Sequence, residues 1–209
     1  GLGSCDDKII KQDYESPFFV SLLYKKSRDD PALKLAFDKR MSDERKDWIA
    51  NFNFDPRVEE MRRQPIASFI HHEYIQFSID DLARSIPRLY DGLKVSHRKI
   101  LYGSFLKWGA KIGSEAAPKI KVAALASFVQ DRTGYHHGED NLKDTIVGMA
   151  QEFAGKNNLP YFQRLGQFGT RSMNGKNASN ARYIHTKCEW WIPYMYPKDY
   201  FELYDYVYE

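Results

Sequence analysis

Apolar residues recur at helical spacing along most of the chain, broken by short polar stretches. Between residues 29 and 52, Leu33, Phe37, Met41, Trp48 and Phe52 fall near one face, with Asp29-Asp30-Pro31 as a helix start. One helix is therefore predicted over 29–52. Residues 54–64, with Pro56 and nearby Pro65 bracketing charged positions, read as a linker. The stretch 69–80 fits helix or strand. A turn at Asp91-Gly92 precedes a helix predicted over 96–108, capped by Ser96 and carrying Ile100, Phe105 and Trp108. A Gly/Ala/Lys-rich loop follows over 109–119. A short helix over 122–130 then gives way to a sharp break, Gly134-Tyr135-His136-His137-Gly138. Beyond it, Leu142, Ile146, Met149 and Phe153 make one apolar stripe and predict a helix over 140–154, with Met149 and Phe153 in the core. Gly155 and Asn157-Asn158 stop it.

Two helices joined by a tight glycine-containing turn form a helix-turn-helix pattern. After them, residues 165–184 carry Gly166, Gly169 and Gly175, with Lys176 and Asn177 near the last. This spacing predicts a β-hairpin with a basic tip, a wing. No internal repeat or low-complexity tract is visible.

Composition adds limits. With 43% hydrophobic and 28% charged residues, the 209-residue chain is not disordered and fits one large domain, or one domain with parts of its neighbours. Its two cysteines, Cys5 and Cys188, have no Cys or His partner at ligand spacing, so neither a disulfide framework nor a zinc site is expected. No run of 18 apolar residues exists, so no transmembrane helix and no membrane partner are expected. Gly1 is not a start methionine and no signal peptide follows; the chain is expected to be part of something longer. The net charge of +3 hides an asymmetry: residues 88–187 hold 16 Lys and Arg against 7 Asp and Glu, and the remainder 15 against 21. A basic half between acidic flanks suits a polyanion-binding surface, although a solvated surface explains charge alone equally well. Helix-turn-helix plus wing on that basic half favours DNA.

Arg182-Tyr183 follows the Gly/Asn/Lys-rich loop. A tyrosine can attack phosphorus, but with an ordinary phenol pKa of about 10 it needs nearby cations to favour the phenolate and absorb charge on the phosphoryl oxygens. Arg182 is adjacent, and His136, His137 and Arg98 are candidates to converge from other elements. An Arg-Tyr dipeptide alone carries almost no weight.

Four segments together carry much more. Residues 85–99 (SIPRLYDGLKVSHRK), 135–139 (YHHGE), 166–171 (GQFGTR) and 181–186 (ARYIHT) resemble, in order, the signature of the winged-helix domain of type IIA DNA topoisomerases. HHGE and RYIHT resemble the eukaryotic rather than the bacterial branch. Upstream, GLGS at 1–4 resembles the end of the magnesium-binding TOPRIM domain, and 29–52 the segment after it. Residues beyond Trp190 resemble the start of the tower domain.

The resemblance implies a mainly α fold with a small β-wing. A winged-helix domain over 69–190 would follow the tail of an α/β TOPRIM region over 1–55 and a linker over 56–68, with the tower beginning over 191–209. It implies transient double-strand cleavage, strand passage and religation by an ATP-hydrolysing isomerase acting as a homodimer on double-stranded DNA. Tyr183 would form the phosphotyrosyl bond to a DNA 5′ end, and Arg182 would contact the scissile phosphate. Arg98 and His137 would line the cleavage centre. Arg45, Lys46, Lys94, Lys99, Tyr135, His136 and Arg171 match positions that touch DNA. Each also has a plainer reading: Arg45 and Lys46 a solvated helix face, Lys94 a turn cap, Tyr135 core, His136 a hydrogen-bonding support.

The family's acidic metal-binding motifs, a Glu in a Gly-Asp-Ser setting and an Asp-x-Asp, are absent, as is its ATP-binding domain. Ligands for magnesium and ATP are thus expected outside this chain. The connection between Phe52 and Phe69 is short and the loop 109–118 enlarged for a cellular eukaryotic enzyme, which suits a divergent lineage such as a large DNA virus. The expected location is the nucleus for a cellular eukaryote, or host cytoplasm for a cytoplasmic virus. The competing reading is a non-catalytic winged-helix DNA-binding module.

Overall fold

The computed structural model describes residues 6–54, 62–204 and 206. The chain divides into two compact units, Gly1–Ile86 and Pro87–Glu209. This division falls later than the expected linker over 56–68. Of that linker, residues 56–61 lie outside the described residues, while Arg63–Pro65 is a strand and Ile66–Phe69 a helix. The helical residues up to Ser85 thus belong to the first unit, and the second does not begin at residue 69.

The first unit contains α1 (Asp7–Glu15), β1 (Ser21–Leu23), α2 (Lys26–Phe37), α3 (Ser42–Ala50), β2 (Arg63–Pro65), α4 (Ile66–Phe69) and α5 (Ile75–Ser85). A π-turn over Ile70–Tyr74 joins α4 to α5, so the ambiguous stretch 69–80 is helical. β1 and β2 pair in parallel. The single helix predicted over 29–52 is two. At Asp38 the backbone turns extended (φ −74°, ψ 122°) and the side chain accepts the Arg40 N–H at 3.0 Å, capping a new 3-10 turn. A short acid that bonds its neighbours' backbone competes with continued helix, and Phe37 is left 60% exposed. Ala32, Ala36 and Ile70 form the small core, with Leu33, Trp48, Ile66 and Phe69 against it. Asp29 is buried rather than a helix start. It accepts the Ala67 N–H at 2.9 Å and pairs with Arg28, tying α2 to α4. Its Arg28 bond, reinforced by the Lys25 and Ala67 amides, holds its carboxyl well below the usual range despite burial.

The second unit is built on α6 (Val95–Trp108), α7 (Val122–Thr133) and α8 (Glu139–Ala150), with β3 (Ile120–Lys121), β4 (His185–Thr186) and a short α9 (Ile192–Met195). Apolar residues at helical spacing meet in one core: Ile100 and Leu101 from α6, Leu125 and Val129 from α7, Leu142, Ile146 and Met149 from α8. α7 ends at Gly134 in the left-handed region, and α8 begins after Gly138. α8 stops four residues earlier than predicted. Gln151 turns extended, and Asn157 Nδ2 donates to the Gly148 and Gln151 carbonyls, 2.7 Å each. Phe153 therefore lies past the helix, half-buried, whereas Met149 is core.

β3 and β4 pair antiparallel, Lys121 opposite His185, and Leu165 and Phe162 bridge to His185 and Cys188 on the other side. The hairpin predicted over 165–184 does not form among these residues. Only its ends pair, and the span between them is a loop with a 3-10 turn at Arg171–Met173. The fold is mainly helical with few strands.

Arg98 and Asp91 form a buried ion pair whose side chains are 13% and 3% exposed. Two bonds of 2.7 and 2.8 Å join them, and the Tyr200 hydroxyl donates to Asp91 at 2.7 Å. Burial pushes the Asp91 carboxyl up, but Arg98, the Leu93 amide and Tyr200 together hold it below its ordinary value. Its stabilising effect is therefore complete above about pH 4 and is lost as pH falls through the lowered native value. Removing one partner strands the other charge in the interior. Asp91→Asn is expected to lower unfolding free energy by about 3–5 kcal/mol in urea titrations at pH 7, and to flatten the acid limb of the stability profile.

Candidate functional site

A helix leaves its first backbone N–H groups without intrahelical partners. α7 has no side-chain cap. Its Val122 N–H donates instead to the Ile184 carbonyl at 3.0 Å, and its Ala123 N–H to the Ala181 carbonyl at 3.1 Å. These two carbonyls flank Arg182-Tyr183. The turn carrying the pair is thus clipped to the positive end of a helix dipole.

Local bonds complete the turn. Asn180 Oδ1 accepts both the N–H and the Nε–H of Arg182 at 3.1 Å, and the Tyr183 N–H donates to the Asn180 carbonyl at 2.9 Å. This is the asparagine-turn chemistry that an Asn two residues before a turn position supplies. Ile184 is buried while Tyr183 is 71% exposed, and the Arg182 guanidinium lies 5.7 Å from the Tyr183 ring centre. Gly166 lets the chain pass Ile184 closely. Its φ is +133°, and a Cβ there would stand 2.7 Å from Ile184 Cγ2.

A cleft of about 860 Å³ lies beside this turn. Lys143, Lys156, Lys176 and Arg182 bring positive charge to it, against Asp140 and Asp144. Lys143 bonds Glu139 and Asp140 on its own helix, so part of that charge is already neutralised.

The other expected site residues fall into separate groups. Lys99, Tyr135 and His137 meet at the α7–α8 turn: Lys99 Nζ donates to the Gly134 carbonyl at 3.0 Å and lies 5.9 Å from the Tyr135 ring, and the His137 ring packs edge-on to Tyr135 at 5.5 Å. Tyr135 is 5% exposed and part of the core, while His136 and His137 are exposed. Arg98 gives its donors to Asp91 and the Leu93 carbonyl and stacks near Tyr90 and Tyr204. Lys94 is the capping residue just before α6, in place of the expected Ser96, and its N–H donates to His97 Nδ1 at 3.4 Å. Arg171 is exposed in the loop before Tyr183.

Arg45 and Lys46 belong to the first unit. Arg45 donates to the Leu35 and Asp38 carbonyls, 3.0 and 2.6 Å, closing the end of α2. Lys46 pairs with Asp43 on the exposed face of α3.

Two family models match end to end: the C-terminal associated domain of TOPRIM over residues 1–82, and the DNA gyrase/topoisomerase IV A-subunit family over 84–209. The chain belongs to the type IIA DNA topoisomerases. It is 47% identical over 163 residues to a DNA topoisomerase 2 of Candida albicans, covering 76% of this chain and 10% of that protein. It is 42% identical over 189 residues to one from Acanthamoeba polyphaga mimivirus, covering 86% and 14%. A solved Plasmodium falciparum structure, a topoisomerase II DNA-binding, cleavage and re-ligation domain, superposes with a TM-score of 0.72 at 34% identity, over 100% of this chain and 28% of that one. The chain thus spans only 10–14% of the length of these two curated relatives.

Sequence reasoning missed the residues that hold the Arg182-Tyr183 turn. Asn180 carried a legible signal, an Asn two residues before Arg182. Gln151 carried none, and Asn157 was legible only as a helix stop.

Two measurements check the geometry. Gly166→Ala forces either Ile184 or the backbone to move and is expected to cost about 1–3 kcal/mol of stability, read as a lower urea midpoint. Burial, then the Lys94 and Arg98 charges, keep the His97 pKa below its ordinary value. The unfolded chain takes the proton first, so stability is expected to decline as pH falls from about 6.5 through the lowered native value. His97→Gln should reduce that decline.

Proposed function

We propose that this chain supplies the breakage-reunion region of a type II DNA topoisomerase, with Tyr183 as the nucleophile. The observation that carries the reading is the exposed Arg182-Tyr183 turn, fixed by its own carbonyls to the start of α7 beside a basic cleft. α6 to α8 with the short β3–β4 ladder support a winged-helix arrangement in which the 166–184 loop takes the place of the wing.

In the proposed reaction the Tyr183 oxygen forms a bond to a DNA phosphorus while the bond to the 3′ oxygen breaks. The phenol loses its proton and the departing oxygen gains one. The phosphodiester's bond energy passes to the phosphotyrosyl link, so the reverse attack reseals the strand without ATP. Arg182 and the positive end of α7 offset the charge that grows on the phosphoryl oxygens. Lys99 and His137, gathered on Tyr135, form a second DNA-contacting edge, and Arg171 a third from the loop. Arg98 keeps α6 and the Asp91 turn in register. A second copy of the chain cutting the opposite strand makes the break double, which requires a homodimer. Relaxation and decatenation in the nucleus, or in the cytoplasm of an infected host, are the proposed biological setting.

Among the described residues, no group of three or more His, Cys, Asp or Glu side chains could hold a metal ion. These residues do not fit the magnesium site that family membership implies. No helix among the described residues is long and apolar enough to cross a membrane.

The test is a detergent-quenched cleavage assay on the full-length natural protein carrying this sequence, with duplex DNA and magnesium. Covalent adduct is expected at DNA 5′ ends, absent in Tyr183→Phe and reduced about 10²–10³-fold in Arg182→Ala. DNA binding without any adduct would favour the non-catalytic winged-helix module. The isolated 209 residues are expected to bind DNA weakly, with affinity falling steeply as salt rises, and not to cleave it efficiently.

A further inference from the structure

The loop that carries Arg182-Tyr183 is anchored at two places. One is the start of α7. The other is the end of α8, where Gln151 leaves the helix with extended backbone and only 3% exposure. Its Nε2 donates to the Phe168 carbonyl at 2.7 Å and to the Gly175 carbonyl at 3.2 Å. A side-chain amide has two N–H donors, so one buried group joins both limbs of the loop. The loop closes tightly at that point. Gly175 has φ +76°, and a Cβ on it would collide with the Gln151 amide; a Cβ on Gly169 would stand 2.5 Å from the Gly175 carbonyl oxygen.

From there a series of bonds runs to the tyrosine. The Gly175 N–H donates to the Thr170 carbonyl at 2.9 Å, Asn177 Oδ1 accepts the Thr170 N–H at 2.8 Å, and the Ser179 N–H donates to the Gln167 carbonyl at 2.9 Å. The next residue, Asn180, holds Arg182. On the α8 side, Asn157 fixes the Gln151 carbonyl itself. Gln151 also lines the basic cleft along with Arg182 and Lys176.

We infer that Gln151 is a positioning residue for the cleavage reaction: it touches no reacting atom but sets the loop that aims Tyr183 at the phosphorus. The inference rests on the proposed role of Tyr183. A methionine in its place keeps the length and apolar stem and removes both donors, leaving the Phe168 and Gly175 carbonyls without that partner. The loop then samples orientations in which the attack is misaligned, and rate is lost while DNA affinity is not.

The experiment compares the full-length natural protein with its Gln151→Met variant. Three quantities are read: the rate of adduct formation at saturating duplex DNA, the Kd for that DNA at fixed salt, and amide hydrogen exchange over 168–183 and over α7. Gln151→Met is expected to slow adduct formation about 10–100-fold with Kd within about twofold of the parent. Exchange should quicken at Thr170, Gly175 and Ser179 and stay unchanged in α7. Adduct formation at the parent rate overturns the inference, as does a parallel loss of DNA binding or faster exchange throughout the unit. Should Gln151→Met fail to fold, Gly175→Ala presses on the same amide from the loop side and must give the same pattern. A parent protein that forms no Tyr183-dependent adduct defeats the cleavage reading instead, and the exchange data then decide on their own whether Gln151 holds the loop.

Discussion

The first N–H groups of α7 need acceptors, and the chain supplies them as the Ala181 and Ile184 carbonyls. Most of the second unit's design follows from that choice. An acceptor drawn from a neighbouring side chain would satisfy the helix locally and leave the tyrosine turn loose. Acceptors drawn from the turn's own backbone fix both ends of Arg182-Tyr183 while leaving its side chains in solvent. A backbone bond at the buried Ile184 resists water far better than a surface ion pair.

Keeping those carbonyls in place requires a firm frame behind them. β4 begins at the next residue after Ile184, between β3 and the bridge to Leu165. Ile184 itself plugs into the core with Val122, Leu125 and Phe168. The Asp91–Arg98–Tyr200 cluster performs a similar service elsewhere in the unit, joining the start of α6 to the 3-10 turn at Lys198–Leu203. Polar groups are buried in both places, and in both they connect segments far apart in sequence. Such contacts fix one arrangement among several that apolar packing alone would permit.

The helices of the second unit were legible because their apolar residues recur every three or four positions and face a single core. Leu142, Ile146 and Met149 are the plainest example. The break at Asp38 was not legible, because an apolar repeat continues across it; the acid's bond to the Arg40 amide and Arg45's bonds to the Leu35 and Asp38 carbonyls end the helix. Glycines at 166, 169 and 175 resemble a hairpin pattern in sequence, yet the first serves close passage against Ile184 and the others the crowding around Gln151. Of the candidate site, Arg182 and Tyr183 stood out through motif order alone, and the structure sets them together on an exposed turn. Arg45 and Lys46 were expected to touch DNA and Arg98 to line the cleavage centre; each also has a partner within the protein: carbonyls for Arg45, Asp43 for Lys46, Asp91 for Arg98. Basic residues read the same in sequence whether a carboxylate waits nearby or not.

Peptide mapping of the quenched protein–DNA adduct tests the central claim most directly. After nuclease and protease digestion, mass spectrometry should find a nucleotide phosphate on the peptide containing residues 181–187, attached to the oxygen of Tyr183 through the DNA 5′ end. A phosphate carried by any other residue, or attached through a 3′ end, would contradict the account.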